Sequence, residues 1–237
     1  VSLNSFSVSA RYVNQTQRLY NAILKNDVFT ALDAIEKGAY INAVEENSKQ
    51  SLLMFAAQKG NINIFMKLVA RGANIHYRKP NGVSTLMYAV QGGNAEIVRF
   101  LINRDAGESW ATEYVSTCYR QVNFFQLAIC MNRLDLARMI HKKYRYAMYN
   151  SEHYQYGKKI TVFDFIPSKN EDKWIDFFIN EVNYIPYEHV YRLAQNKKYL
   201  KILVNRGYLS KQYPDILNII ASHGDFDLFK KALASGM

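Results

Sequence analysis

Ser51-Leu52-Leu53-Met54-Phe55-Ala56-Ala57-Gln58-Lys59-Gly60-Asn61 returns 33 positions later as Ser84-Thr85-Leu86-Met87-Tyr88-Ala89-Val90-Gln91-Gly92-Gly93-Asn94. Ser51 and Ser84, Leu53 and Leu86, Ala56 and Ala89, and Gly60 and Gly93 keep one register. The stretches that follow agree as well, with Ile64-Phe65-Met66-Lys67-Leu68-Val69 standing above Ile97-Val98-Arg99-Phe100-Leu101-Ile102. A fixed period of this length is the signature of stacked supersecondary units. Small Ala56, Ala57 and Ala89 allow a first helix to approach its neighbours closely. Gly60 and Gly93 can take the positive φ that ends such a helix. Ser51 and Ser84 stand where a hydroxyl caps free N–H groups at its start. Ile64, Phe65, Leu68 and Val69 recur at helical spacing, as an apolar stripe on a second helix requires.

Arg71-Gly72-Ala73-Asn74-Ile75 completes the unit. The whole resembles the ankyrin repeat, which runs from a turn through T-P-L-H-x-A-A and G-H to a helix ending L-L and then G-A-D. Weaker copies extend it both ways. An earlier one holds Leu19, Ala22-Ile23, Val28, Ala31, Ala34-Ile35 and Lys37-Gly38-Ala39. Later ones begin at Phe125-Gln126-Leu127-Ala128, at Thr161-Val162-Phe163-Asp164, at Tyr191-Arg192-Leu193-Ala194 and at Leu217. The resemblance implies an all-α ankyrin-repeat solenoid of about six to seven helix-turn-helix repeats. Residues 15–237 form the repeat domain behind an N-terminal extension of residues 1–14.

The chain departs from the family pattern in two ways. The histidine position holds Met54, Met87, Gln126, Asp164 and Arg192, so the polar network a histidine makes between adjacent loops needs another source. Two long insertions, near 107–122 and 142–159, replace short finger loops, and loops of that length usually carry function or disorder. The second insertion interleaves five basic side chains with five tyrosines between His141 and Lys159. Such a mixture suits an acidic protein surface, nucleic acid or anionic lipid, or it packs down as a solvated loop.

Composition bounds the rest. The chain is 49% apolar and 14% aromatic, enough to bury a core, and only 11 glycines and 4 prolines disfavour a turn-rich β architecture. No apolar run approaches the ~20 residues of a membrane-spanning helix, and no secretory leader pattern opens the sequence. A net charge of +10 favours acidic partners without choosing among them. Cys118 and Cys130 match no metal or disulfide framework, so a reducing, intracellular and cytoplasmic setting is the expectation. Cys130 reads as a buried structural thiol. The first and last residues read as the cut ends of a longer chain.

Catalytic constellations are not found: Gln91-Gly92-Gly93-Asn94 belongs to the repeat turn, and the five histidines lack metal-ligand spacing. The expectation is therefore a non-enzymatic module with no metal and no cofactor, gripping a protein partner of acidic surface. Carried over from the family pattern, the binding positions are Asn47, Lys49, Gln50, Gln58 and Lys59 in the second repeat. The third supplies Arg78, Lys79, Asn81, Val83 and Gln91, and the second insertion adds Lys142, Lys143, Tyr144, Arg145 and Tyr146. Asn-, Lys-, Tyr- and Ile-rich composition with degenerate repeats is similar to ankyrin-bearing effectors of intracellular bacteria, which implies a host protein as partner and secretion into a host cell. The alternatives are a substrate-delivery module of a larger enzyme, or binding of nucleic acid or anionic lipid by the Tyr/Lys-rich insertion.

Overall fold

The computed structural model describes residues 10–107, 113–118, 120–144, 153–155, 158–183, 185, 187–208 and 215–234. It divides into two compact units, Val1–Asn170 and Glu171–Met237.

In the first unit, helices come in antiparallel pairs: α1 (Ala10–Lys25) with α2 (Val28–Glu36), then α3 (Leu52–Gln58) with α4 (Ile62–Ala70). Next come α5 (Thr85–Gly92) with α6 (Ala95–Asn103), and α7 (Phe124–Cys130) with α8 (Leu134–Lys143). First helices stack on first helices, as α1, α3, α5 and α7 touch in succession. Second helices do likewise through α2, α4, α6 and α8. No pair can bury its own apolar face, so each is stable only against its neighbours. Leu53, Ala56, Ala57, Leu86, Ala89 and Val90 are buried where first helices meet, and Ile64, Phe65, Leu68, Ile97, Val98 and Leu101 where second helices meet. Helix α1 begins at Ala10, so part of the expected N-terminal extension is helical.

The helix ends follow from local chemistry. Gly60 and Gly93 close first helices at φ +67° and +73°, and Asn26 and Asn132 adopt φ +58° and +57° at the same place in the first and fourth pairs. Asparagine tolerates this left-handed region better than other side chains do. Ser51 caps α3 by accepting the Met54 N–H at 3.2 Å. Ser84 departs from expectation, because its hydroxyl makes no cap bond and is buried without a hydrogen-bond partner. Asn123 caps α7 in a reciprocal box with Gln126. Second helices α2, α4 and α6 are capped by Asp27, Asn61 and Asn94.

Asparagine also supplies the inter-repeat polar ties that a consensus histidine would have made. Asn61 donates through Nδ2 to Asn26 Oδ1 at 2.7 Å, and Asn94 Nδ2 to the Gly60 carbonyl at 2.9 Å. Asn42 Oδ1 accepts the Asn74 N–H at 2.8 Å while its Nδ2 donates to the Gly72 carbonyl at 3.1 Å. Each tie links one repeat to the next, so register is specified by hydrogen bonds as well as by packing.

Between pairs the chain forms fingers. The second and third are closed by single antiparallel bridges, Val44 to Ser51 and Arg78 to Ser84. Both long insertions contain an antiparallel hairpin in the same place: β1 (Glu113–Val115) with β2 (Arg120–Val122), and β3 (His153–Gln155) with β4 (Lys158–Ile160). The insertions are thus lengthened fingers. After β4 the expected fifth first helix is reduced to a 3-10 turn, Val162–Phe165, where Asp164 accepts the Thr161 N–H at 2.7 Å.

The second unit holds α9 (Glu171–Phe177), which runs into a π-helical turn (Phe178–Val182), then α10 (Tyr187–Ala194) paired with α11 (Lys197–Asn205) and α12 (Ile216–Ser222) paired with α13 (Phe226–Ala234). The same rule of contact holds, α10 on α12 and α11 on α13. Trp174, Phe177 and Phe178 are buried together, with Trp174 and Phe177 edge to face. They are core residues.

Candidate recognition face

The fingers and the exposed edges of the first helices share one side of the first unit. Seven residues beyond each N-cap, Ser51, Ser84 and Asn123, the chain places Gln58, Gln91 and Cys130. Gln58 Nε2 donates to Gln91 Oε1 at 2.9 Å, so these two expected binding residues form an amide ladder between repeats. Lys59 follows and is exposed. In the second finger Asn47 and Lys49 are exposed, and Lys49 takes φ +56°. That turn is organised by Glu45, whose carboxylate accepts the Ser48 N–H at 2.7 Å and the Asn47 N–H at 3.1 Å. Burial pushes the Glu45 carboxyl up, but the bonds from Ser48 and Asn47 outweigh it and hold the group below the usual carboxylate range. In the third finger Arg78 and Asn81 are exposed, and Asn81 Oδ1 accepts the Val83 N–H at 3.3 Å.

Three expected surface residues are not free surface. Gln50 and Val83 are 8% and 1% exposed, since both precede a cap and turn under the finger onto the first helices. Lys79 is paired: its Nζ sits against Glu113 and donates to Tyr88 Oη at 3.2 Å, leaving its side chain 11% exposed. The Tyr88 hydroxyl donates to the other Glu113 oxygen at 2.7 Å. Burial first, and the Glu113 carboxylate second, push the Tyr88 hydroxyl well above its ordinary range. Glu113 belongs to the lengthened fourth finger, and sequence spacing carried no signal that it would reach a lysine 34 positions earlier. Of the expected cations in this cluster, Lys49, Lys59 and Arg78 remain exposed with no ion pair among the described residues.

Four cations of the first two helix pairs contrast with this. Glu36 pairs with both Lys67 and Arg71, and Asp33 with both Arg18 and Lys37. Those ion pairs hold Glu36 and Asp33 below the usual carboxylate range, through hydrogen bonds from Lys67 and Lys37 foremost. Among the described residues those four cations are balanced locally, whereas Lys49, Lys59 and Arg78 are in no ion pair.

The second insertion is partly visible. Lys142 is exposed, Lys143 pairs with Asp105 at 2.7 Å, and the Tyr144 ring lies 5.9 Å from that of Phe124. Arg145 and Tyr146 lie outside the described residues. Among the described residues no three His, Cys, Asp or Glu side chains gather as a metal site would need, and no helix is long and apolar enough to cross a membrane.

The cysteines require a correction. Cys118 and Cys130 are joined as a disulfide, with Cα atoms 5.9 Å apart. The pairing was not legible in the sequence because it depends on the fourth finger folding back along α7. It also removes the free thiols on which the reducing compartment was inferred.

The family model for ankyrin repeats (three copies) matches residues 19–110 and 53–151, together more than half of the chain. The 2-5A-dependent ribonuclease of Mus musculus is 36% identical over 72 residues, which are 30% of this chain and 10% of that protein. The chain therefore spans about a tenth of the length of this curated relative. The repeat period, the stacking of like helices on like, and the family match agree: the chain belongs to the ankyrin repeat family.

Proposed function

We propose that this chain is a protein-recognition module that holds an acidic segment of its partner across the finger side of the second and third repeats. Ankyrin repeats are generally scaffolds for protein–protein interaction. The observation that carries the finer reading is the contrast in charge: among the described residues Lys49, Lys59 and Arg78 stand exposed and in no ion pair, while Arg18, Lys37, Lys67 and Arg71 are neutralised by Asp33 and Glu36. An unbalanced patch on a rigid surface raises the association rate with an acidic partner and lets the partner supply the missing counter-charge. Asn47, Gln58, Asn81 and Gln91 offer hydrogen bonds beside it. Residues 15–237 are taken as one ankyrin domain because both units are built of the same helix pairs. The composition supports a host protein as partner and an intracellular, host-cell setting.

The reading predicts that replacing Lys49, Lys59 and Arg78 together with Glu weakens binding of a labelled polyglutamate peptide by about tenfold or more. Circular dichroism melts of the variant should match the parent, since the three side chains are exposed. Equal peptide affinity in parent and variant refutes the proposal. Binding of anionic vesicles or single-stranded RNA through the second insertion, with a steep loss in salt, assigns the surface to that class instead. A second reading, that the repeats deliver substrate to an enzyme of which this chain is part, is favoured by the similarity to a ribonuclease that is a much longer protein.

A further inference from the structure

The fourth finger differs from its predecessors in being fastened at both ends. At its base Glu113 meets Lys79 and Tyr88 of the third repeat and Val122 is buried, and Val115 is buried beside the turn. At its tip Cys118 is bonded to Cys130, the last residue of α7, so the hairpin lies folded back along that helix. Cys130 occupies the place in its repeat that Gln58 and Gln91 hold in theirs. The bond therefore closes off, in the fourth repeat, the row of half-buried positions that the second and third repeats present. Both cysteines are half-buried.

We propose that the Cys118–Cys130 bond is a thiol–disulfide switch that sets which surface the fourth repeat offers to a partner, a proposal that rests on the finger side being the recognition face. Oxidised, the finger tip is pinned over the end of α7. Reduced, the tip is released and position 130 joins the row of Gln58 and Gln91. The reductant is a dithiol. Its thiolate attacks one sulfur and breaks the S–S bond, and its second thiol resolves the mixed disulfide. The protein gains two electrons and two protons as two thiols, and the reductant leaves as a disulfide.

Two features confine the change to the finger. Strands of three residues are marginal by themselves, so the tip depends on its covalent tie. Helix α7 does not, because the Asn123–Gln126 box caps it and Phe124, Phe125, Leu127, Ala128 and Ile129 are buried. A disulfide persists in oxidising compartments and is reduced in the cytosol. The posture of the finger thus reports the compartment the protein occupies.

Hydrogen exchange on the whole chain, equilibrated with oxidised glutathione or with dithiothreitol, tests this. Amides of residues 113–122 should exchange about tenfold faster in the reduced form, with α3, α5 and α7 unchanged. Cys118→Ser should reproduce the reduced pattern without reductant and leave Cys130 open to rapid alkylation by a bulky maleimide. Identical exchange in the two forms, slow alkylation of Cys130 in Cys118→Ser, or loss of protection throughout α7 overturns the switch. Neither readout involves a partner, so failure here and failure of the polyglutamate experiment are separate results.

Discussion

Replacing Gly92 with Ala reverses the usual sign of a glycine-to-alanine change in a helix. Gly92 ends α5, and such a substitution ordinarily stabilises by ~0.5–1 kcal/mol by limiting the unfolded chain. Here a Cβ would stand 2.2 Å from the Ala57 carbonyl oxygen and 2.7 Å from that of Gln58. Both are backbone atoms of α3, so no side-chain rotation relieves the clash. Non-bonded heavy atoms settle near ~3.5 Å, so α3 and α5 must part locally by roughly 1 Å. That separation loosens the seam formed by Ala56, Ala57, Ala89 and Val90, all of them fully buried. Overpacking of this kind costs ~1–3 kcal/mol, leaving a net loss of about 1–2 kcal/mol after the helix gain. At ~2–4 °C per kcal/mol for a chain of this size, Tm should fall by roughly 2–8 °C. Calorimetry or circular dichroism decides it. A Tm equal to or above the parent's would show that the two first helices are not in the close contact described here.

Ala56→Leu tests the same seam from the other helix: Ala56 is fully buried, and the added isopropyl group should crowd it at a cost of ~1–3 kcal/mol in urea unfolding. A variant that unfolds like the parent would displace Ala56 from the interface. Glu45→Gln probes the second finger through pH. The native Glu45 carboxyl lies below its unfolded value of ~4.3, so its contribution is fully present above that pH and is lost as pH falls through the depressed native value. The stability gap between parent and Glu45→Gln should therefore be widest near neutrality and shrink in acid, read from thermal melts between pH 7 and pH 3. A gap independent of pH would rule out the Ser48 and Asn47 bonds as its source.

Much of the fold was legible before any coordinates, because its information is local and repeated. Ala at positions 56 and 89, glycine at 60 and 93, and apolar side chains at 64, 65 and 68 each state a steric requirement that the next repeat states again, 33 positions on. Even the lengthened fingers could be placed, since whatever interrupts the period must loop out where fingers stand. The finger side was likewise predictable as the place where Lys49, Lys59 and Arg78 would be exposed.

What only the tertiary structure decided are the pairings between segments whose spacing obeys no period. Lys79 looked like a free cation until β1 carried Glu113 to it, and Gln50 and Val83 looked like surface until the chain turned beneath the finger. Cys118 and Cys130 looked like unrelated thiols because a bond between them requires the hairpin to reverse and lie along α7. Periodic side chains determine a scaffold by meeting copies of themselves. A lengthened finger meets whatever the scaffold has placed beneath it, and that neighbour is known only once the chain has folded.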